Sequence, residues 1–243
     1  MNYVVIELKA ETASFRNPEF QNYHKSYLLP PPSTLIGLTG AAIGLSPKGS
    51  QEFIVNNDFM LGCYGKPKGK ANDLWKYLSI KPQKGKDRSS GIVSREILYA
   101  YHLIVVFGNE DGAKIESIIN GFVNPKYALT LGNSDSLAKV IKITQFNNSS
   151  KSRILSNCLV EGNVIEEVIQ NSQNGIAFEI HQTSDPIAYD MPVTFNYGES
   201  EYGSRSVKQR KVISIIGQEM TLNIEKEGIE YDNVFIPVFK LKE

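Results

Sequence analysis

Apolar and polar positions alternate at the start of the chain, and the alternation predicts a strand. Over residues 3–9, Val4, Ile6 and Leu8 fall on one face, and Tyr3, Val5, Glu7 and Lys9 on the other, the period of extended backbone. Residues 11–32 mix Asn, Pro and aromatic residues without a period and predict a loop. Pro30-Pro31-Pro32 excludes a helix there. Ser33 is the expected N-cap of a helix reaching Leu45, with Leu35, Leu38, Ala42 and Leu45 at helical spacing. Gly37, Gly40 and Gly44 each cost such a helix about 1 kcal/mol relative to alanine. Close packing against its small face is the expected compensation.

Residues 62–96 show no clean period and contain Gly62, Gly65, Gly69, Gly85 and Gly91, with Pro67 and Pro82. They predict a long insertion, either a loop or an extended hairpin. A strand follows at 97–107, rich in β-branched and aromatic residues. Its alternation groups Leu98, Ala100, His102, Ile104 and Val106 against Tyr99, Tyr101, Leu103 and Phe107. Residues 113–122 predict a helix, with Ile115, Ile118, Ile119 and Phe122 at i, i+3, i+4 and i+7. A short strand is expected at 126–131, a turn at Gly132-Asn133-Ser134-Asp135, and another strand at 137–146. This order predicts an α+β fold, ferredoxin-like or RRM-type, over residues 1–146, with the insertion at about 62–97. Residues 147–243 predict a smaller β-rich C-terminal region. Its expected strands lie at 176–181, 192–197, 211–216, 219–225 and 234–240, with a short helix at 164–170.

The chain has 243 residues and no formal net charge, yet the charge is unevenly placed. From Lys66 to Arg95 there are nine basic and two acidic residues, a charge of +7, so the remainder carries −7. A positive field confined to a Gly-rich insertion points to a phosphate backbone as partner. Tyr64, Trp75 and Tyr77 are interleaved with it and are candidates for base stacking. The competing reading is a solvated loop kept soluble by lysines. On the 97–107 strand, Tyr99 and Tyr101 are candidates for stacking on an open sheet face, or for packing against the C-terminal region.

Cys63 and Cys158 stand far apart, with no second cysteine or histidine at metal-ligand spacing. No P-loop is present. Neither a metal nor another cofactor is expected. No signal-peptide layout opens the chain, and no apolar run reaches the ~18 residues of a membrane helix. The default expectation is cytoplasmic.

Three stretches carry a resemblance: Ala13-Ser14-Phe15-Arg16-Asn17-Pro18, then Tyr23-His24-Lys25-Ser26-Tyr27, then Pro30-Pro31-Pro32-Ser33-Thr34-Leu35-Ile36-Gly37-Leu38 through Ala41-Ala42-Ile43-Gly44. Together they resemble the N-terminus of the CRISPR-associated "Cas five" proteins of the RAMP superfamily, in their type I-B-like form. Tyr127 and Leu131-Gly132-Asn133-Ser134-Asp135 are similar to a later segment of that family, and Arg95 with Tyr99 and Tyr101 to the strand after its basic insertion. The resemblance covers residues 1–146. It implies a ferredoxin-like domain with a β-hairpin thumb, here about 62–97. It also implies an RNA-binding subunit without catalytic role in a type I effector complex (Cascade), holding the 5′ handle of the CRISPR RNA. The implied partners are that RNA, the repeating backbone subunit and the large subunit, with no membrane.

Under this reading, Arg16 and Lys25 contact phosphates or base edges, since guanidinium is the better bidentate donor. Phe15, Tyr23 and Tyr27 stack on bases, and the helix start at Ser33 offers free N–H groups to a phosphate. Lys66, Lys68, Lys70, Lys84, Lys86, Arg88 and Arg95 meet the RNA backbone, with Tyr99 and Tyr101 beside them.

One branch of the family cleaves precursor CRISPR RNA without metal, using a tyrosine, a lysine and a histidine. That makes a metal-independent endoribonuclease the alternative, with Tyr23, His24 and Lys25 as the candidate set. His102 follows Tyr101 rather than a lysine and falls with Leu98, Ile104 and Val106, which predicts a core histidine. His181 has no evident partner. A protein–protein scaffold without direct RNA contact is the further alternative.

Overall fold

The first strand is covered on both faces. In the computed structural model, which describes residues 1–78, 90–166, 186–199 and 204–242, β1 (Asn2–Ala13) is buried without a break from Tyr3 to Leu8. Val4, Ile6 and Leu8 enter the main core, while Tyr3 and Val5 enter a second core behind the sheet. Doubly covered strands carry apolar residues in near-continuous runs, as here.

Three two-residue strands follow: β2 (Phe15–Arg16), β3 (Tyr23–His24) and β4 (Ser26–Tyr27). Next come α1 (Pro32–Ile43), α2 (Pro47–Val55), β5 (Met60–Lys66), β6 (Gly69–Leu78), β7 (Ser90–Asn109) and α3 (Gly112–Val123). Then come β8 (Ala138–Phe146), β9 (Ser150–Leu155), β10 (Cys158–Glu161), β11 (Ile187–Tyr197) and β12 (Arg205–Ile216). The chain closes with β13 (Met220–Tyr231), β14 (Val234–Pro237) and β15 (Phe239–Lys240). The architecture is mixed and strand-dominated. The main sheet runs β11-β12-β10-β5-β7-β1-β8, with β15 paired to β5 and both β3 and β6 paired to β7. Its centre, β5-β7-β1-β8, is antiparallel throughout. α1 and α3 pack on one face through Leu35, Leu38, Ala42, Ile115, Ile118 and Phe122. A second sheet, β14-β13-β9, covers part of the other face. Residues beyond 146 enter both sheets. No helix among the described residues is long and apolar enough to cross a membrane.

Local chemistry explains most boundaries. The start of α1 corrects the expected cap: Pro31 is the cap residue, Pro32 lies in the first turn, and no side chain caps the helix. Ser33 therefore lies inside the first turn, where the fixed φ of Pro32 pre-sets the geometry. The helix stops at Gly44, whose φ of 90° is left-handed and whose N–H donates to the Gly40 carbonyl. Gly40 packs closely on Ser50 of α2, while Gly37 meets nothing. α2 lies where the periodicity predicts no element, yet its start is marked: Ser46 Oγ accepts from the Gly49 N–H, and Pro47 sits in the first turn.

The strand expected at 126–131 is instead a single bridge between Thr130 and Leu137. Within 97–107, Ala100 takes a left-handed φ of 46° and inverts the alternation. Leu98 consequently joins Tyr101, Leu103 and Phe107 in the main core, not His102. Residues 62–66 belong to β5 of the main sheet, so the insertion proper begins at β6. β6 and β7 pair from Gly69–Tyr99 out to Leu78–Ser90 as a two-stranded arm. The C-terminal strands expected at 192–197, 211–216, 219–225 and 234–240 fall on β11 to β15. The one at 176–181 lies outside the described residues, as does most of the helix at 164–170.

Candidate nucleic-acid interface

Side chains alternate between the two faces of the arm. The cross-strand pairs Asp73–Arg95, Trp75–Val93 and Tyr77–Gly91 place these residues on one face. β3 pairs in parallel with β7, setting His24 opposite Arg95. The His24 ring thereby reaches Trp75, centroid to centroid 5.8 Å at 56°. The space between them is a cleft of about 980 Å³ lined by Arg16, Gln21, Asn22, His24, Trp75, Tyr77, Leu78, Ile92 and Val93. Trp75 and Tyr77 are 45% and 47% exposed, so their rings are open to a stacking partner.

The base of the cleft is held by Arg95. Its Nη2 donates to Asp73 Oδ2 at 2.7 Å and to Asp135 Oδ2 at 2.9 Å. Its guanidinium lies 5.8 Å from the Trp75 ring centroid. The hydrogen bond from Arg95 holds the Asp135 carboxyl below the usual carboxylate range. A guanidinium this buried must be paired. Arg95 therefore ties β6 and β7 to the Gly132–Asp135 turn.

The Tyr23-His24-Lys25 set does not converge. The Tyr23 hydroxyl donates to Asn72 Oδ1 at 3.2 Å and approaches Glu96 Oε2 at 3.5 Å. Lys25 Nζ stands 5.0 Å from the Phe20 ring centroid. Only His24 faces the cleft. Burial, then the positive charges of Arg16 and Arg95, hold its pKa below the ordinary histidine value, which favours neutral imidazole at neutral pH.

Three of the aromatic candidates are buried. Phe15 lies in the main core, edge-on to Tyr101 at 5.4 Å. The Tyr101 hydroxyl donates to the Leu28 carbonyl at 2.8 Å. Tyr27 packs edge-on against Tyr189 at 4.8 Å. None presents a free ring face to a base. Tyr64 is likewise buried, in the second core. Arg16, Lys66, Lys68, Lys70 and Tyr99 are exposed, with Lys70 3.5 Å from Glu96. His102 is half-buried, its Nε2 2.9 Å from Glu7 Oε1. Lys84, Lys86, Arg88 and His181 lie outside the described residues. Among those described, no three metal-binding side chains converge. Gln21 and Asn22, the two amides of the cleft, carry no sequence signal beyond their place in an aperiodic loop.

Residues 3–208 match the family of CRISPR-associated proteins denoted Cas_Cas5. The chain belongs to this family. The Cas_Cas5 match includes the cleft, the arm and the Gly132 turn. No curated protein matches the sequence. Among solved structures, a chain titled as a CRISPR RNA-guided surveillance complex aligns over 90% of this chain and 91% of its own, at 12% identity and a TM-score of 0.52. A CRISPR protein from Archaeoglobus fulgidus aligns over 99% of both chains, at 12% identity and a TM-score of 0.51. A chain titled as a Cas protein aligns over 54% of this chain and 57% of its own, at 19% identity and a TM-score of 0.36. At 12% identity, the likeness to the first two shows the fold alone.

Proposed function

We propose that this chain is an RNA-binding subunit without catalytic role in a type I CRISPR effector complex. It holds the 5′ handle of the guide RNA and contacts the repeating backbone subunit and the large subunit. The cleft at the arm carries the reading. It combines open indole and phenol rings (Trp75, Tyr77), two side-chain amides able to bond base edges (Gln21, Asn22) and a free guanidinium (Arg16). Single-stranded RNA is recognised by such sets of stacking rings, edge donors and phosphate cations. The exposed Lys66 and Lys68 at the root of the arm and Lys70 and Lys76 along it supply further charge. The order β5-β7-β1-β8 with helices on one face supports the ferredoxin-like assignment, and the β6–β7 arm supports that of a thumb.

The test is incubation of the purified protein with a labelled CRISPR repeat transcript in EDTA, read on native and denaturing gels. Retardation without cleavage is expected. Charge reversal at Lys66, Lys68 and Lys70 weakens it, and Trp75→Ala lowers affinity by roughly 10- to 100-fold, the loss of one stacked base. Retardation indifferent to all of these changes would place the contact away from the cleft and arm, and no retardation at all would leave only a scaffold.

One observation favours the endoribonuclease alternative: His24 is held in the form that accepts a proton and sits beside Arg16 in the cleft. His24→Ala is nevertheless expected to leave the RNA products unchanged, because Tyr23 and Lys25 are turned away from it. Site-specific cutting by the wild type that His24→Ala abolishes would reverse the assignment.

A further inference from the structure

Strand register builds a row of basic side chains on the sheet face away from the helices. Lys66 of β5 pairs with His102 of β7, His102 with Lys9 of β1, and Lys9 with Lys139 of β8. Directly opposed residues share a face. Glu7, two residues from Lys9, identifies that face. Its carboxylate lies 2.9 Å from His102 Nε2 and accepts from the hydroxyl of Tyr231, in the second core, at 3.3 Å. Lys142 pairs with Glu7 and stands 5.4 Å from the Tyr231 ring centroid, so it marks where β13 begins to cover the sheet. Lys9, Lys66, Lys139 and Lys142 are all exposed. At a strand spacing of about 4.8 Å, the row is roughly 14 Å long.

The same face continues into the cleft. Leu98 points into the helix-side core, so Tyr99 is turned to the opposite face, and it is 54% exposed. Further out on β7, Arg95 and Val93 lie on that face with Trp75 and Tyr77. One surface therefore runs from the cleft, past the open ring of Tyr99, to the basic row. Its carboxylates are largely engaged. Glu7 is buried against His102 and Tyr231, and Asp73 and Asp135 are bound by Arg95. The exposed Glu11 of β1 lies beside the row.

We infer that this open face is a second RNA contact: the strand leaving the cleft stacks a base on Tyr99 and lays its phosphates along Lys66, Lys9, Lys139 and Lys142. The inference rests on the RNA-binding reading of the cleft. An exposed ring set among cations on a sheet fits a single strand, whose bases stack while its phosphates pair with lysines. An acidic peptide would leave the ring without a partner.

The test compares wild type with the Lys9→Gln/Lys139→Gln double variant, neither residue belonging to the cleft. Binding to single-stranded RNA of about 16 nucleotides, a length that outruns one site, is measured across a salt series. The slope of log affinity against log salt is expected to shrink by about 1.4, because two phosphates are no longer neutralised. The loss is equal for repeat-derived and unrelated sequences, because phosphates carry no sequence. RNA of about 4 nucleotides, which the cleft alone accommodates, is bound unchanged. An unaltered slope on the long RNA overturns the inference and leaves the cleft reading standing. Failure of wild type to bind any RNA overturns both.

Discussion

Gly132→Ala is expected to destabilise the protein by roughly 3–5 kcal/mol, at the upper end for a single substitution. Gly132 has a φ of 97°, which side-chain-bearing residues rarely adopt. A methyl group there would also overlap the Ser14 carbonyl oxygen. The obstacle is backbone and cannot swing aside as a side chain would. Ser14 is itself fixed: its N–H donates to the Leu131 carbonyl at 3.1 Å, and its hydroxyl donates to the Glu96 carbonyl at 2.8 Å. Relief requires lifting the turn off β1 and β7, which also withdraws Asp135 from Arg95. A chain of this size loses about 2–4 °C of Tm per kcal/mol, so a fall of about 10 °C is expected in thermal unfolding. Gly37→Ala is the control. A methyl there meets nothing, at an exposed position on the outer side of α1, and a gain of up to about 1 kcal/mol is expected. A Gly132→Ala protein within about 1 kcal/mol of wild type would mean that the turn docks loosely.

That turn also shows what was legible in the sequence. The Ala13–Pro18 stretch and the Leu131–Asp135 stretch, both part of the family resemblance, meet in space at Ser14 and Gly132. Elements with one covered face and a regular period, such as α1 and α3, were readable. The arm was legible only as an aperiodic insertion, loop or hairpin, and its strand bounds were not, because neither of its faces packs on a core. Leu74, Leu78 and Ile92 lie exposed at 73%, 61% and 69%, so no inside-outside alternation marks β6. Ala100 inverted the phase of β7 through a left-handed backbone that alanine does not advertise. The burial of Phe15 and Tyr27, RNA candidates under the family resemblance, was not legible because they sit in an aperiodic segment. Its strands are two residues long, too short to show a period, yet they are packed. The cleft depends on β3 pairing with β7 some seventy residues away, and no local pattern encodes such a pairing. The basic row is similar: Lys9, Lys66, His102 and Lys139 are scattered in sequence and align only through register.

Arg95→Met is expected to cost about 2–3 kcal/mol. That is below the 3–5 kcal/mol typical of breaking a fully buried pair, because the Asp73 and Asp135 side chains keep 43% and 55% of their surface. The loss should be pH-dependent, with a definite sign. Arg95 lowers the Asp135 pKa in the folded state below its ordinary 3.8. The folded carboxyl thus resists protonation more than the unfolded one. Its contribution is complete above about pH 5 and fades as the pH falls through the lowered folded value. Urea midpoints for wild type and Arg95→Met should be well separated at pH 7 and draw together near pH 3. A gap of equal size at both pH values would show that the Asp135 carboxylate is not what Arg95 stabilises. RNA affinity supplies an independent readout. Arg95 is buried, paired with two carboxylates and 5.8 Å from the Trp75 ring centroid, so its expected effect on RNA runs through the placement of Trp75. Arg95→Met should therefore weaken RNA binding in the wild-type background and add little once Trp75→Ala is present, the non-additivity expected when one residue works through another. Arg95→Lys should fall between wild type and Arg95→Met, since an ammonium lacks the planar fork that serves both carboxylates. Full additivity of the Arg95 and Trp75 losses would instead make Arg95 a contact in its own right and undo its architectural assignment.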